Sequence, residues 1–270
     1  MGHAMEWLGL HFISELPESG QVILNCTHDP FLVLLAYLVA CVGCFATLDM
    51  AERVAHAEKS ASQTRWRWVG SGCLAGGIWA MHFVGMLAFQ APVDLHYQLP
   101  VTVFSLTIAL LAAWLAMHTL SRPDLNFQRC LKASVGIGLG IATMHYVGMT
   151  AMHSSASVYY HPGLFALSIA IAIGAALAAL LLAWYLRNGA GMLHQLFKYC
   201  ASLLLGAGIL SMHLTAMAAF NLVLPEGSLP AQTGEHSHLQ LALTVTVMTL
   251  LIIGSSISAA LADKKLQHKE

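Results

Sequence analysis

The chain has 270 residues, of which 57% are hydrophobic and 9% charged, with a formal net charge of −1. A soluble domain carries about 25% charged residues, so the composition excludes an ordinary soluble globule and predicts an integral membrane protein. The near-neutral charge argues against a nucleic-acid partner.

Residues 1–30 read as an outer N-terminal segment. They lack a basic stretch and a small-residue cleavage site, so no cleaved signal peptide is expected. Met5 to Leu16 is weakly amphipathic and reads as an interfacial helix or as a segment packed on the bundle. Crossing a bilayer takes about 20 mostly apolar residues. Seven stretches qualify: 31–51, 67–89, 99–119, 131–153, 164–186, 197–221 and 239–262. The expected fold is therefore all-α, with seven transmembrane helices in one domain over 31–262. A short basic cytoplasmic tail, 263–270, follows. Asp29-Pro30 reads as a helix start, and Asp49 with Arg53 as an i, i+4 ion pair at the far end of helix 1.

All 12 Lys and Arg residues fall on one side of this topology. Arg53, Lys59, Arg65 and Arg67 follow helix 1. Arg122, Arg129 and Lys132 lie between helices 3 and 4, Arg187 and Lys198 bound the next loop, and Lys264, Lys265 and Lys269 lie in the tail. Basic residues in short loops mark the cytoplasmic side, which places the N-terminus outside and the C-terminus in the cytoplasm.

One hexapeptide recurs along this frame. Met81-His82-Phe83-Val84-Gly85-Met86, Met144-His145-Tyr146-Val147-Gly148-Met149 and Met212-His213-Leu214-Thr215-Ala216-Met217 lie in helices 2, 4 and 6. Glycines precede each copy (Gly76 and Gly77, Gly138 and Gly140, Gly206 and Gly208). Each His falls seven or eight residues before the outer end of its helix. At 1.5 Å rise per residue this puts all three at a shared depth of roughly 10–12 Å. The expected arrangement is a pseudo-threefold axis along the membrane normal, with the site between parallel repeats.

Residues i and i+4 share a helix face, so His82 faces with Met86, His145 with Met149 and His213 with Met217. Gly85, Gly148 and Ala216 lie between them and allow close helix approach. Met81, Met144 and Met212 point about 100° away and line a flanking surface. Imidazole beside thioether is a soft, uncharged ligand set that suits copper; a haem with His or Met axial ligands, or another transition metal, is the alternative. His153 continues the stripe at i+8 from His145 and is a further candidate ligand, with polar Gln90 and Asn221 at the matching positions. The competing bland reading is a repeat built for packing, with histidines as helix glue. The six cysteines do not form a disulfide framework, and Cys41-x-x-Cys44 reads as packing, since free Cys behaves as a small hydrophobe.

On these residues the chain resembles the MHYT domain, a family of bacterial integral-membrane sensors. The likeness covers roughly residues 28–262. It includes Asp29-Pro30, Ala46-Thr47-Leu48-Asp49 and the run Gly77-Ile78-Trp79-Ala80-Met81-His82-Phe83-Val84-Gly85-Met86. Phe83-Val84, Tyr146-Val147 and Leu214-Thr215 vary the family's Tyr-Thr, while the His and both Met are kept in every copy. The resemblance implies a bacterial inner-membrane sensor of a diatomic gas (oxygen, carbon monoxide or nitric oxide) working through copper. It also implies a cytoplasmic signalling output of the cyclic-di-GMP type. The expected role is therefore that of a sensor rather than an enzyme. The alternatives are a copper or haem membrane oxidoreductase and a copper-acquisition protein. A hydrolase is disfavoured, because no Asp or Glu lies in the outer half of any expected helix to act as a general base.

Overall fold

The computed structural model describes residues 5–7, 10–13, 21–57, 59–187, 189 and 191–225. Six helices long and apolar enough to cross a membrane lie among them: α1 (Pro30–His56), α2 (Ser60–Ala88), α3 (Leu99–Leu120), α4 (Phe127–Thr150), α5 (Pro162–Leu186) and α6 (Met192–Ala219). Among the described residues the expected count of seven is thereby corrected to six. The seventh expected stretch, 239–262, and the tail lie outside the described residues.

The starts of these helices are written locally. Asp29 caps α1, its Oδ1 accepting from the Phe31 and Leu32 amides at 2.8 and 3.1 Å. Asn126 caps α4 through the Arg129 amide, and His161 caps α5 through the Leu164 amide. Proline opens the first turn of α1, α3 and α5, where its missing N–H costs nothing.

Nine short strands complete the described fold at the end where α2, α4 and α6 finish. They are β1 (Met5–Trp7), β2 (Leu10–Phe12), β3 (Gln21–Ile23), β4 (Thr27–His28), β5 (Phe89–Gln90), β6 (His96–Tyr97), β7 (Met152–His153), β8 (Ser157–Tyr160) and β9 (Phe220–Pro225). The first, second, eighth, ninth and third form one sheet in the order β1-β2-β8-β9-β3. Where the N-terminal segment is described it is thus extended, and the interfacial helix expected over Met5 to Leu16 is not what those residues form.

The order strand, helix, helix, strand occurs three times. In each case the strand before the first helix pairs antiparallel with the strand after the second. His28 lies opposite Phe89, Tyr97 opposite Met152 and Tyr160 opposite Phe220. The amides of Asp29, Gln98 and His161 donate to the carbonyls of Ala88, Ala151 and Ala219, each at 2.8 Å. Each hairpin of helices is therefore stapled at the same place by the same backbone bond.

The helices form a ring in chain order, with α6 returning to α1. Lipid supplies no hydrophobic drive between helices, so small residues and polar bonds must hold them together. Gly43 of α1 meets Gly77 of α2 so closely that a Cβ on either would lie 2.8 Å from the other's Cα. Trp79 donates to the Thr102 carbonyl and Ser105 Oγ, at 3.1 and 3.0 Å, joining α2 to α3. Tyr146 and Ser168 hydroxyls share a bond of 2.7 Å between α4 and α5, and the Tyr37 hydroxyl donates to the Leu203 carbonyl between α1 and α6. At the end opposite the strands, buried Lys198 of α6 bonds Asp49 at 3.0 Å and Glu52 at 2.8 Å, both on α1. Asp49 also pairs with Arg53, and Glu52 with His194. Outward, Phe31, Leu38, Phe104, Leu111 and Leu204 are exposed, as an apolar belt facing lipid should be.

Candidate metal centre

His82, His145 and His213 lie six, five and six residues before the last residues of α2, α4 and α6. At 1.5 Å per residue this is about 8–9 Å from the helix ends, shallower than expected because these helices stop sooner than the apolar stretches do. The equal offsets bring the three side chains to one level inside the ring, where each is at most 1% exposed.

Their Nδ1 atoms form a nearly equilateral triangle. The separations are 3.1 Å between His145 and His82, 3.2 Å between His82 and His213, and 3.3 Å between His213 and His145. A point equidistant from all three lies about 1.8–1.9 Å from each. The Nδ1 atoms of His82, His145 and His213 are therefore close enough together that they could hold one ion at the ~2.0–2.1 Å usual for metal–imidazole bonds. Among the described residues, no carboxylate or thiol belongs to this cluster.

Hydrogen bonding alone cannot satisfy such a ring. Each neutral Nδ1 is either a donor or an acceptor, and three mutually touching atoms cannot alternate. At least one contact must set lone pair against lone pair or proton against proton. A cation accepts all three lone pairs together. The Nε2 atoms would then carry the protons, and all three are buried with no hydrogen-bond partner among the described residues. The residues present therefore fit a bound metal ion.

The surrounding motif positions build the socket. Gly148 lies against the His82 ring and Gly85 against the His213 ring; a Cβ on either glycine would collide with the Nε2 of that imidazole. The glycines make room for the rings, a role that helix-packing arguments from sequence do not reveal. Phe83 and Tyr146, each next in sequence to its histidine, stand edge-on to His82 and His145 with centroids 4.6 and 4.9 Å apart. Met81, Met86, Met144, Met149, Met212 and Met217 are all buried. Of the predicted histidine ligands, His82, His145 and His213 come together.

His153 does not join them. The helical stripe that carried it breaks because α4 ends at Thr150. Ala151 turns, with its amide on the Gly148 carbonyl at 3.2 Å, and His153 falls in β7 opposite His96. Its ring nitrogens face Gln98 and the Ala151 carbonyl. Gln90 and Asn221 likewise lie in strands, and Gln90 accepts from Thr27. Above the histidines the chain presents Phe89 against Phe220 and Phe220 against Tyr160, with centroids 5.8 Å apart in both pairs. His28 packs on Phe89, and burial pushes its pKa down. Cys41 and Cys44 are free thiols, as the packing reading requires.

The MHYT family, described as a bacterial signalling protein N-terminal repeat, matches residues 76–133 and 138–195, which hold the first two motif copies. The third copy supplies His213 to the same cluster. The cyclic di-GMP phosphodiesterase NbdA of Pseudomonas aeruginosa is 46% identical over 98% of this chain, which covers 34% of that protein. The bifunctional diguanylate cyclase/cyclic di-GMP phosphodiesterase MucR of the same organism is 36% identical over 92% of the chain and 36% of its own length. The signalling protein YkoW of Bacillus subtilis is 31% identical over 90% of the chain and 30% of its length. The chain spans about a third of the length of these curated relatives. No solved structure matches. Residues 76–195 are thus recognised as an MHYT-family sensor domain.

Proposed function

We propose that this MHYT domain senses a diatomic gas (oxygen, carbon monoxide or nitric oxide) through a copper ion held by His82, His145 and His213. The observation that carries the reading is the buried Nδ1 triangle, with sides of 3.1–3.3 Å. Met86, Met149 and Met217 complete or flank the ligand set, with Met81, Met144 and Met212 behind them. Bound copper would supply an open coordination position for an uncharged ligand.

Charge favours a monovalent ion. The cluster holds no carboxylate, so the site keeps the full charge of whatever binds. The cost of burying charge in a low dielectric is steep and scales with its square, about fourfold more for a divalent ion than for Cu(I). The buried thioethers favour the same ion. Haem suits the geometry less well, because imidazoles converging on one point at 3.1–3.3 Å leave no gap for a macrocycle between them.

The motif end of the bundle faces the periplasm of a bacterial inner membrane in this reading. Arg53, Lys59, Arg65, Arg67, Arg122, Arg129, Lys132, Arg187 and Lys198 cluster at or near the opposite ends of the helices, which the positive-inside rule assigns to the cytoplasm. Each motif histidine belongs to a different helix hairpin, so a change at the cluster moves α2, α4 and α6 relative to one another. That movement reaches the basic end, where an output of the cyclic-di-GMP type would read it. The chain itself acts as sensor rather than enzyme.

Metal analysis of detergent-purified protein, with a visible spectrum, tests this. The expected result is one copper per chain, lost when His82, His145 and His213 are all replaced by Ala. Copper retained by that triple variant, zinc in its place, or a Soret band would overturn the reading.

A further inference from the structure

One turn inward from each motif histidine, on the same helix face, stands an isoleucine: Ile78, Ile141 and Ile209. One turn further stand Leu74, Ile137 and Leu205. All six line a cavity of about 60 Å³ whose remaining wall comes from α1, α3 and α5. The isoleucine layer lies about 6 Å below the histidine layer along the helix axes. The cavity is therefore coaxial with the cluster, on the side away from the strands.

The void has a local cause. α5 presents alanines to it, Ala175, Ala176, Ala179 and Ala183, where larger side chains would fill the space. Its chemistry excludes water. A buried water needs two to four polar partners, and the one hydroxyl in the wall, that of Thr47, is already donated to the Gly43 carbonyl at 2.7 Å. The size suffices for a small molecule, since a water-sized particle needs roughly 10–15 Å³ of such space.

We propose that this cavity is a docking chamber for an uncharged diatomic molecule, which meets the three-histidine cluster from its inner face by passing Ile78, Ile141 and Ile209. The identity of the occupant rests on the gas-sensing reading; the chamber does not. The outer approach is roofed by Phe89, Tyr160 and Phe220, all buried, whereas apolar gases dissolve in the surrounding hydrocarbon. Leu74 of α2 and Ala175 and Ala179 of α5 are only half-buried and are the least buried residues of the lining.

Two measurements separate the chamber from the metal. Crystals of metal-free protein pressurised with xenon should show a xenon peak bounded by Ile78, Ile141 and Ile209, and Ala176→Val should abolish it. Absence of xenon there overturns the chamber whatever the metal. In copper(I)-loaded protein, Ala176→Val and, separately, Ala179→Leu should slow carbon monoxide association by about tenfold, a ~1.4 kcal/mol higher barrier. Copper content should stay unchanged. Unaltered association in both variants overturns the proposed route. A loaded protein that binds no carbon monoxide refutes the gas reading and leaves the xenon result to decide the chamber.

Discussion

Replacing Gly85 by Ala tests whether the small residue of the motif exists to seat an imidazole. A Cβ at this position would lie 2.9 Å from His213 Cδ2 and 3.1 Å from Cε1, with the Nε2 nearer still. Restoring ordinary contact requires the His213 ring to retreat by about 1 Å, whereas metal–ligand distances tolerate only ~0.2 Å. The fold itself should survive, because overpacking costs about 1–3 kcal/mol and Gly→Ala in a helix returns up to ~1 kcal/mol. The loss should therefore appear in metal affinity, by the 10–100-fold typical of disturbed support around a ligand. At a free metal concentration 100 times the original Kd, binding stabilises the parent by ~2.7 kcal/mol; a 100-fold weaker variant retains ~0.4 kcal/mol. For a chain of this size the difference is a melting shift smaller by about 5–9 °C. Thermal unfolding with and without metal, alongside a chelator competition, reads both quantities. Gly72→Ala is the control, since nothing lies within 4 Å of its Cβ position. An unchanged metal-induced shift in Gly85→Ala would refute the argument.

Other consequences are simpler to read. His153→Ala should leave metal stoichiometry unchanged, as measured by elemental analysis, because β7 places its ring nitrogens at Gln98 and the Ala151 carbonyl rather than in the cluster. Lys198→Met should destabilise the domain by about 2 kcal/mol in thermal unfolding. That is below the 3–5 kcal/mol of a fully buried broken pair, since Asp49 and Glu52 keep side-chain exposures of 30% and 20%. Asp29→Ala should cost ~1 kcal/mol for the lost cap, with Asn restoring most of it and metal content unaffected in both variants. Tyr146→Phe should keep the aromatic wall of His145 while losing about 1 kcal/mol with the Ser168 bond, again read by thermal unfolding.

The helices were legible because lipid permits little else: an apolar stretch of membrane length has to satisfy its backbone internally. The histidine cluster was legible because an imidazole in hydrocarbon is costly without a role, and equal offsets in three parallel helices leave few ways to place it. The misses have physical causes too. α2 and α6 begin earlier than their apolar stretches, at Ser60 and Met192, because helical hydrogen bonding continues past the hydrocarbon edge. The paired strands are mostly two to four residues long, too short for an alternating pattern to show. His153 was misplaced because i+8 spacing presumes an unbroken helix, and Ala151 turns two residues before it. The cavity and the glycine sockets depend on volumes between helices distant in sequence, which a single stretch does not display. The seventh stretch lies outside the described residues.

The odd number of repeats bears on how such a centre responds to what it binds. Two facing imidazoles can share one proton, and four can alternate donor and acceptor around a ring. With three, at most one good hydrogen bond forms among the Nδ1 atoms, and at least one contact sets like against like. A metal-free cluster would therefore be strained at the one level where α2, α4 and α6 meet, and a cation accepting all three lone pairs would relieve that strain. Protonating a ring to add a donor is no remedy, because it buries a charge with no carboxylate in the cluster to offset it. Gly85 and Gly148 face the Nε2 edges of His213 and His82, where only the absence of a Cβ leaves room for the rings. The strain then has to be taken up by the helices, each tied to its own hairpin by one of the three equivalent backbone staples. Occupancy of a metal held by His82, His145 and His213 would then be expressed as spacing between three hairpins.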